Sequence, residues 1–190
     1  MLDHSPLPRS VDGTSLIEVL VTVVILAFGL LGLAALQIRM QTAEQESFQR
    51  AQALVLLTDM TTRIQANRTN AASYVSSSSL GTGLADCTGA AGTADADKCE
   101  WSNLLKGAAE QTGSGKIGAM IGARGCITQL QAPNAASGVC NPGIYQIAVA
   151  WQGLNATASP ANQCGTGNYG SEALRRVIST QVVIGLFGCS

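Results

Sequence analysis

An unbroken apolar run near the amino terminus constrains this chain more than any other feature. Leu16–Ile38 reads LIEVLVTVVILAFGLLGLAALQI, with no proline. At 1.5 Å per residue a helix of that length spans roughly 34 Å, enough to cross a bilayer's hydrocarbon. One charge interrupts it. Glu18 lies two positions inside the apolar start. A carboxylate there costs on the order of 2.5–3.5 kcal/mol near mid-membrane and less towards an end. Charges that costly usually have a partner, so Glu18 is the first candidate functional residue. An ordinary secretory signal is disfavoured, because the run exceeds an h-region of about 7–15 residues and no small-residue cleavage site follows it into a loop.

Helical character persists beyond the run. Gln37–Gln52 is polar and charged, with Arg39, Glu44, Glu46 and Arg50, and then Ala53, Leu56, Leu57, Met60 and Ile64 recur at helical spacing. The pattern predicts one helix from Thr14 to Ala66, roughly 80 Å long. Its second half buries that stripe against a globular domain, while Leu54 and Val55 face elsewhere. Gly29 and Gly32 sit within it, where each loses about 1 kcal/mol relative to alanine. Asn67, Asn70 and the run Ser76–Ser79 end it.

The rest predicts a loop, a short helix and a sheet. Leu80–Ala96 is rich in Gly, Ala, Thr and Asp and reads as a surface loop; Asp95 or Asp97 then caps a helix through Trp101, Leu104, Leu105 and Ala108. Gly113, Gly115 and Gly118 mark a turn, and Lys116 among them lacks the spacing of a phosphate loop. Gly125–Gln131 is a strand candidate. After the turn Asn141-Pro142-Gly143, the residues Tyr145, Ile147, Val149 and Trp151 alternate with Gln146, Ala148, Ala150 and Gln152, giving a strand with one buried face. Ser159–Gly170 is a polar loop. Leu174–Gly185 is a final strand, with Ile178, Thr180, Val182 and Ile184 on one face and Val177 and Val183 on the other. The economical arrangement is α+β, an antiparallel sheet of three or four strands packed on the second half of the long helix.

Composition excludes several functions. Charged residues make up 12% and the net charge is −1, so nothing marks a surface for nucleic acid or anionic lipid. The one histidine is His4, and a chain shortened past it has no Ser-His-Asp or Cys-His catalysis and no histidine-ligated metal. No catalytic residue, metal or cofactor is expected. All six cysteines, Cys87, Cys99, Cys126, Cys140, Cys164 and Cys189, follow the apolar run, and none forms a Cys-x-x-Cys pair. An even set behind a membrane segment reads as disulfides in an oxidising space, which places this part outside the cytoplasm. Fifteen connectivities are open, and sequential pairs (Cys87–Cys99, Cys126–Cys140, Cys164–Cys189) are the favoured set.

The residues around Glu18 carry a resemblance. A short leader ends in Gly13; Thr14, Ser15, Leu16 and Ile17 follow, and Glu18 is fifth after that glycine. This resembles the type III signal of type IV prepilins and pseudopilins. The resemblance implies cleavage between Gly13 and Thr14 by prepilin peptidase, methylation of the new amino terminus at Thr14, and a role for Glu18 in assembly. Thr14 stands where the family commonly has Phe or Met, and Asp12 where basic residues are usual. Many major pilins carry a helix-breaking proline where this chain has Ala35. Phe28–Gln37, Ala66–Tyr74, Val149–Gln152 and Arg175–Ile178 are similar to PilV-type minor pilins, the type IV pilus modification proteins.

That resemblance implies the pilin lollipop: a cleaved leader at 1–13, a transmembrane and filament-core helix at 14–38, its amphipathic second half at 39–66, and a disulfide-bonded head at 67–190. The implied protein spans the bacterial inner membrane once, with its head in the periplasm, before joining the pilus fibre. Its implied partners are other minor pilins, the major pilin, prepilin peptidase and the inner-membrane assembly machinery. The implied function is to prime polymerisation from the tip, in support of twitching motility and cell adhesion. The alternatives are a minor pseudopilin of type II secretion and, from a different class, a membrane-anchored periplasmic enzyme or binding domain.

Overall fold

The longest element is a single α-helix, α1, Leu16–Ala66. The computed structural model describes residues 13, 15–82, 87, 92–107, 111, 112, 115, 116 and 120–188. The chain divides into two compact units, Met1–Ala43 and Glu44–Ser190. In the first, every described side chain from Ser15 to Gln41 is exposed, along a helix long and apolar enough to cross a membrane.

In the second unit, α1 buries Gln49, Ala53, Leu56, Leu57, Met60 and Ile64. The steps of three and four residues keep them on one face. Leu54 and Val55 are exposed. After Ala66 the chain tightens into a 3₁₀ segment, Arg68–Tyr74, that delivers Tyr74 to the core. Helix α2 spans Ala94–Leu105. Its cap is Thr93, whose side chain accepts from the Ala96 amide at 3.3 Å. Asp95 and Asp97, the expected caps, instead occupy the first turn, where the positive end of the helix favours them. Ala108 lies outside the described residues.

Polar groups lock α1 to α2. Arg63 bonds Asp59 at 3.0 Å, Asp97 at 2.9 Å and Glu100 at 2.7 Å, and the Tyr74 hydroxyl donates to Asp97. The Trp101 indole donates to the Leu56 carbonyl at 2.8 Å. Its ring lies so close to Gly125 that a Cβ there would stand 2.1 Å from it. Only glycine fits.

Two short strands, β1 (Gln111–Thr112) and β2 (Gly115–Lys116), pair antiparallel; Gly113 and Gly118 lie outside the described residues. The main sheet is β3 (Ile121–Gln131), β4 (Gly143–Gln152) and β5 (Arg175–Ile184), antiparallel and in that order. β3 starts four residues earlier than expected, and its pairing with β4 shifts register between Ile121 and Arg124 and again between Gln129 and Gln131. One sheet face places Ile127, Tyr145, Ile147, Val149, Trp151, Val182 and Ile184 in the core with the α1 stripe, Tyr74, Trp101 and Leu105. The fold is α+β, as expected.

The other face departs from the expectation for β4. Ala148 and Ala150 are also buried, beneath Cys164 and Tyr169. The connection between β4 and β5 folds back over the sheet, and alternation along one strand carries no record of a cover supplied by Cys164 and Tyr169, well beyond its end.

The disulfides follow from the same return. Cys87 is bonded to Cys99, and Cys126 to Cys164 across a Cα separation of 5.8 Å. Sequential pairing of Cys126 with Cys140, and of Cys164 with Cys189, is therefore overturned. Cys126 sits five residues before the end of β3, whereas Cys140 lies in the turn beyond it. At about 3.3 Å per residue the strand alone separates them by roughly 16 Å, against a bridgeable limit of about 7 Å. Cys140 is itself disulfide-bonded, and Cys189 lies outside the described residues.

Arg175 anchors the returning segment. It is 2% exposed; Glu172 meets it at 2.5 Å, and the carbonyls of Pro160, Asn162 and Cys164 accept from its guanidinium.

Candidate functional site

The site is built on the first turns of α1. The Ser15 carbonyl accepts from the amides of Glu18 at 3.0 Å and Val19 at 3.3 Å, which starts the helix just before the carboxylate. Glu18 is exposed, and among the described residues its side chain has neither an ion-pair nor a hydrogen-bond partner. Gly13 is exposed. Thr14 lies outside the described residues. A carboxylate in a first turn lies in the favourable field of the helix dipole. The Thr22 hydroxyl is satisfied locally, by donation to the Val19 carbonyl at 2.8 Å.

At 100° per residue, Thr22, Gly29 and Gly32 all fall within about 40° of Glu18 around the helix. No heavy atom comes within 4 Å of where a Cβ on either glycine would stand. Ile25 and Leu36, exposed at 64% and 56%, fall in the same sector, so the carboxylate and both glycines share one face with apolar side chains. Chemically this face suits close approach by another helix that brings a cation.

In the larger unit, the bonded cysteines Cys87, Cys99, Cys126 and Cys164 tie down loops. Burial pushes the Tyr74 hydroxyl up to about 12, with the Asp97 hydrogen bond adding to it. Burial likewise raises Tyr169 to about 12. Sequence reasoning missed the burial of Gln49 and Arg175. Gln49 continues the Ala53–Ile64 stripe one step upstream, which is a readable signal; Arg175 gave none.

The family model Tt1218-like, described as type IV pilin Tt1218, matches residues 35–106. That is less than half the chain, from the middle of α1 through α2. The match excludes the residues around Gly13 and Glu18, so it is independent of the leader motif. The match supports a type IV pilin-like protein, and the long helix with a small antiparallel sheet is consistent with a type IV pilin fold. The likeness supports a role in pilus assembly, and the apolar helix fits membrane anchoring before incorporation. No curated protein and no solved structure matches the chain significantly.

Proposed function

We propose that this chain is a minor pilin of the PilV type. It assembles with other minor pilins and the major pilin to prime type IV pilus polymerisation, and it resides at the tip. Residues 1–13 are the leader that prepilin peptidase removes in the inner membrane. Thr14 becomes the methylated amino terminus, and 14–38 the helix that passes from lipid to filament core. Residues 39–66 are the amphipathic second half and 67–190 the periplasmic head. The disulfides suit an oxidising compartment. The role is structural rather than enzymatic.

The observation that carries this reading is Glu18, a carboxylate with no partner among the described residues, in the exposed and otherwise almost wholly apolar run Leu16–Ile38. In lipid it is costly. Beside the free amine of a neighbouring subunit it is neutralised, so its burial favours assembly over the isolated state.

Mass spectrometry of the mature protein is expected to show an amino terminus at Thr14 bearing one methyl group. Replacing Glu18→Ala is expected to leave processing intact and abolish incorporation into fibres. Normal piliation in that variant would remove the mechanism. Loss of secretion with intact pili on gene deletion would point instead to a type II secretion pseudopilin.

A further inference from the structure

The two edges of the main sheet differ. The outer edge of β3 is covered by residues 76–80: Ser76 donates to the Ile127 carbonyl at 3.1 Å, and Leu80 and Gly125 exchange bonds of 2.7 and 3.0 Å. The outer edge of β5 is open. Its ten residues pair in unbroken register with β4, and among the described residues no backbone group reaches its other side. Natural edges are usually blunted by proline, lysine, a bulge or a covering segment. β5 reads RRVISTQVVI and has no proline, lysine or bulge; its charges are confined to its first two residues, which leaves 177–184 without such protection. Its two charges are engaged, Arg175 in the interior and Arg176 with Glu46 at 3.3 Å and the carbonyls of Asn155 and Ala173.

A groove of about 370 Å³ runs beside this edge, lined by Glu46, Ser47, Arg50, Trp151, Arg176, Val177 and Ile178. Consecutive strand residues point to opposite faces. A groove touching both Val177 and Ile178 therefore follows the open edge rather than one face. Its two guanidiniums and one carboxylate leave one net positive charge. Arg50 supplies it: the residue is exposed and has no ion-pair or hydrogen-bond partner among the described residues.

We propose that the β5 edge and this groove dock an extended segment of a different polypeptide, one that adds a strand to the sheet and brings a carboxylate to Arg50. Backbone pairing supplies affinity, and the charge sets direction and choice of partner. A second copy of this chain is the wrong occupant. Its own β5 contains no acidic residue, so pairing two such edges leaves Arg50 unanswered. The surface lies wholly in the larger unit and does not depend on the Glu18 mechanism.

The test uses the full chain in detergent and fluorescence anisotropy with labelled synthetic peptides. One peptide alternates threonine and valine and ends in two aspartates; a second ends in two lysines; a third is the aspartate peptide with every amide N-methylated. Saturable binding of the aspartate peptide is expected, with roughly tenfold weaker binding of the lysine peptide and none of the methylated one. Arg50→Glu, at an exposed position, should keep the wild-type circular dichroism and reverse the preference. Glu18→Ala should bind the aspartate peptide normally, which separates this proposal from the assembly mechanism. No binding of the aspartate peptide, equal binding of both charged peptides, or binding that survives methylation would each overturn it. So would self-association through β5 that the aspartate peptide fails to displace.

Discussion

The residues before Glu44 and those after it solve opposite problems. From Ser15 to Gln41 every described side chain is exposed although most are apolar, and the one carboxylate of the apolar run, Glu18, has no partner among the described residues. Beyond Glu44 a continuous core encloses Trp101, Tyr74, Met60 and the inner face of the sheet, and even the buried charge Arg175 is answered by a carboxylate and three carbonyls. Burial drives folding of the second region from within. The first must find its burial elsewhere, in lipid or among other helices, so its sequence is written for an environment rather than for itself.

The contrast breaks most sharply at Glu18. Glu18→Ala should eliminate assembly altogether while leaving the thermal unfolding of the larger unit unchanged. A shifted melting temperature would mean that the two regions are energetically coupled. Next in size are the bridges that close the larger unit. The chain-entropy relation gives roughly 4 kcal/mol for the 38-residue separation of Cys126–Cys164 and roughly 3 kcal/mol for the 12-residue separation of Cys87–Cys99. Urea unfolding of the two double-alanine variants in detergent should preserve that order. A larger loss from Cys87–Cys99 would show that native-state packing outweighs loop length.

Gly125→Ala comes third. The new methyl would fall 2.1 Å from the Trp101 ring and 2.7 Å from Leu105. Overpacking against two buried side chains costs about 1–3 kcal/mol, and loss of near-ultraviolet dichroism from Trp101 would report the displacement. The same substitution at Gly29, where nothing stands within 4 Å, should leave the larger unit's stability untouched.

How much of this was legible depended on how local the cause was. The extent of α1, its stripe at Ala53, Leu56, Leu57, Met60 and Ile64, and the strand Tyr145–Trp151 follow from periodicity, because the partner surface imposes its spacing on consecutive residues. The cover over Ala148 and Ala150, the Cys126–Cys164 bridge and the burial of Arg175 share one cause, the fold-back of the segment between β4 and β5. That segment is a polar loop by composition, and nothing in its spacing tells where it lands. Glu18 was conspicuous because a charge in an apolar run is costly by itself. The groove beside Arg50 was invisible, since it requires α1 and β5 to be brought side by side.

Alkaline pH tests the buried face more gently. Tyr74 and Tyr169 both ionise near 12 in the folded chain against an ordinary value of 10.0, because burial disfavours the phenolate. The protonated form is favoured by folding, so this contribution is complete below pH 10 and is lost as pH rises to about 12. Tyr169→Phe, which removes the bond to the Gly122 carbonyl at 3.0 Å, should be less stable at neutral pH yet fall less steeply over that window. Equal slopes for variant and wild type would mean that Tyr169 is already open to solvent.

The smallest effect is expected at Glu172, on the exposed side of the Arg175 anchor. Its carboxyl is held below the ordinary 4.5, first by the Gly167 amide, which donates at 2.8 Å, and then by Arg175. Folding favours the charged form here, so the contribution is present above the unfolded value and disappears as pH falls through the lowered folded one. Glu172→Gln should therefore reduce the urea midpoint slightly at pH 7, and the gap to wild type should close as pH falls through the lowered folded value. Arg175 keeps its three carbonyl acceptors in either case, so the loss should be small. A large, pH-independent loss would show that Glu172 holds the loop by shape rather than charge, and that the anchor extends from the interior to the surface.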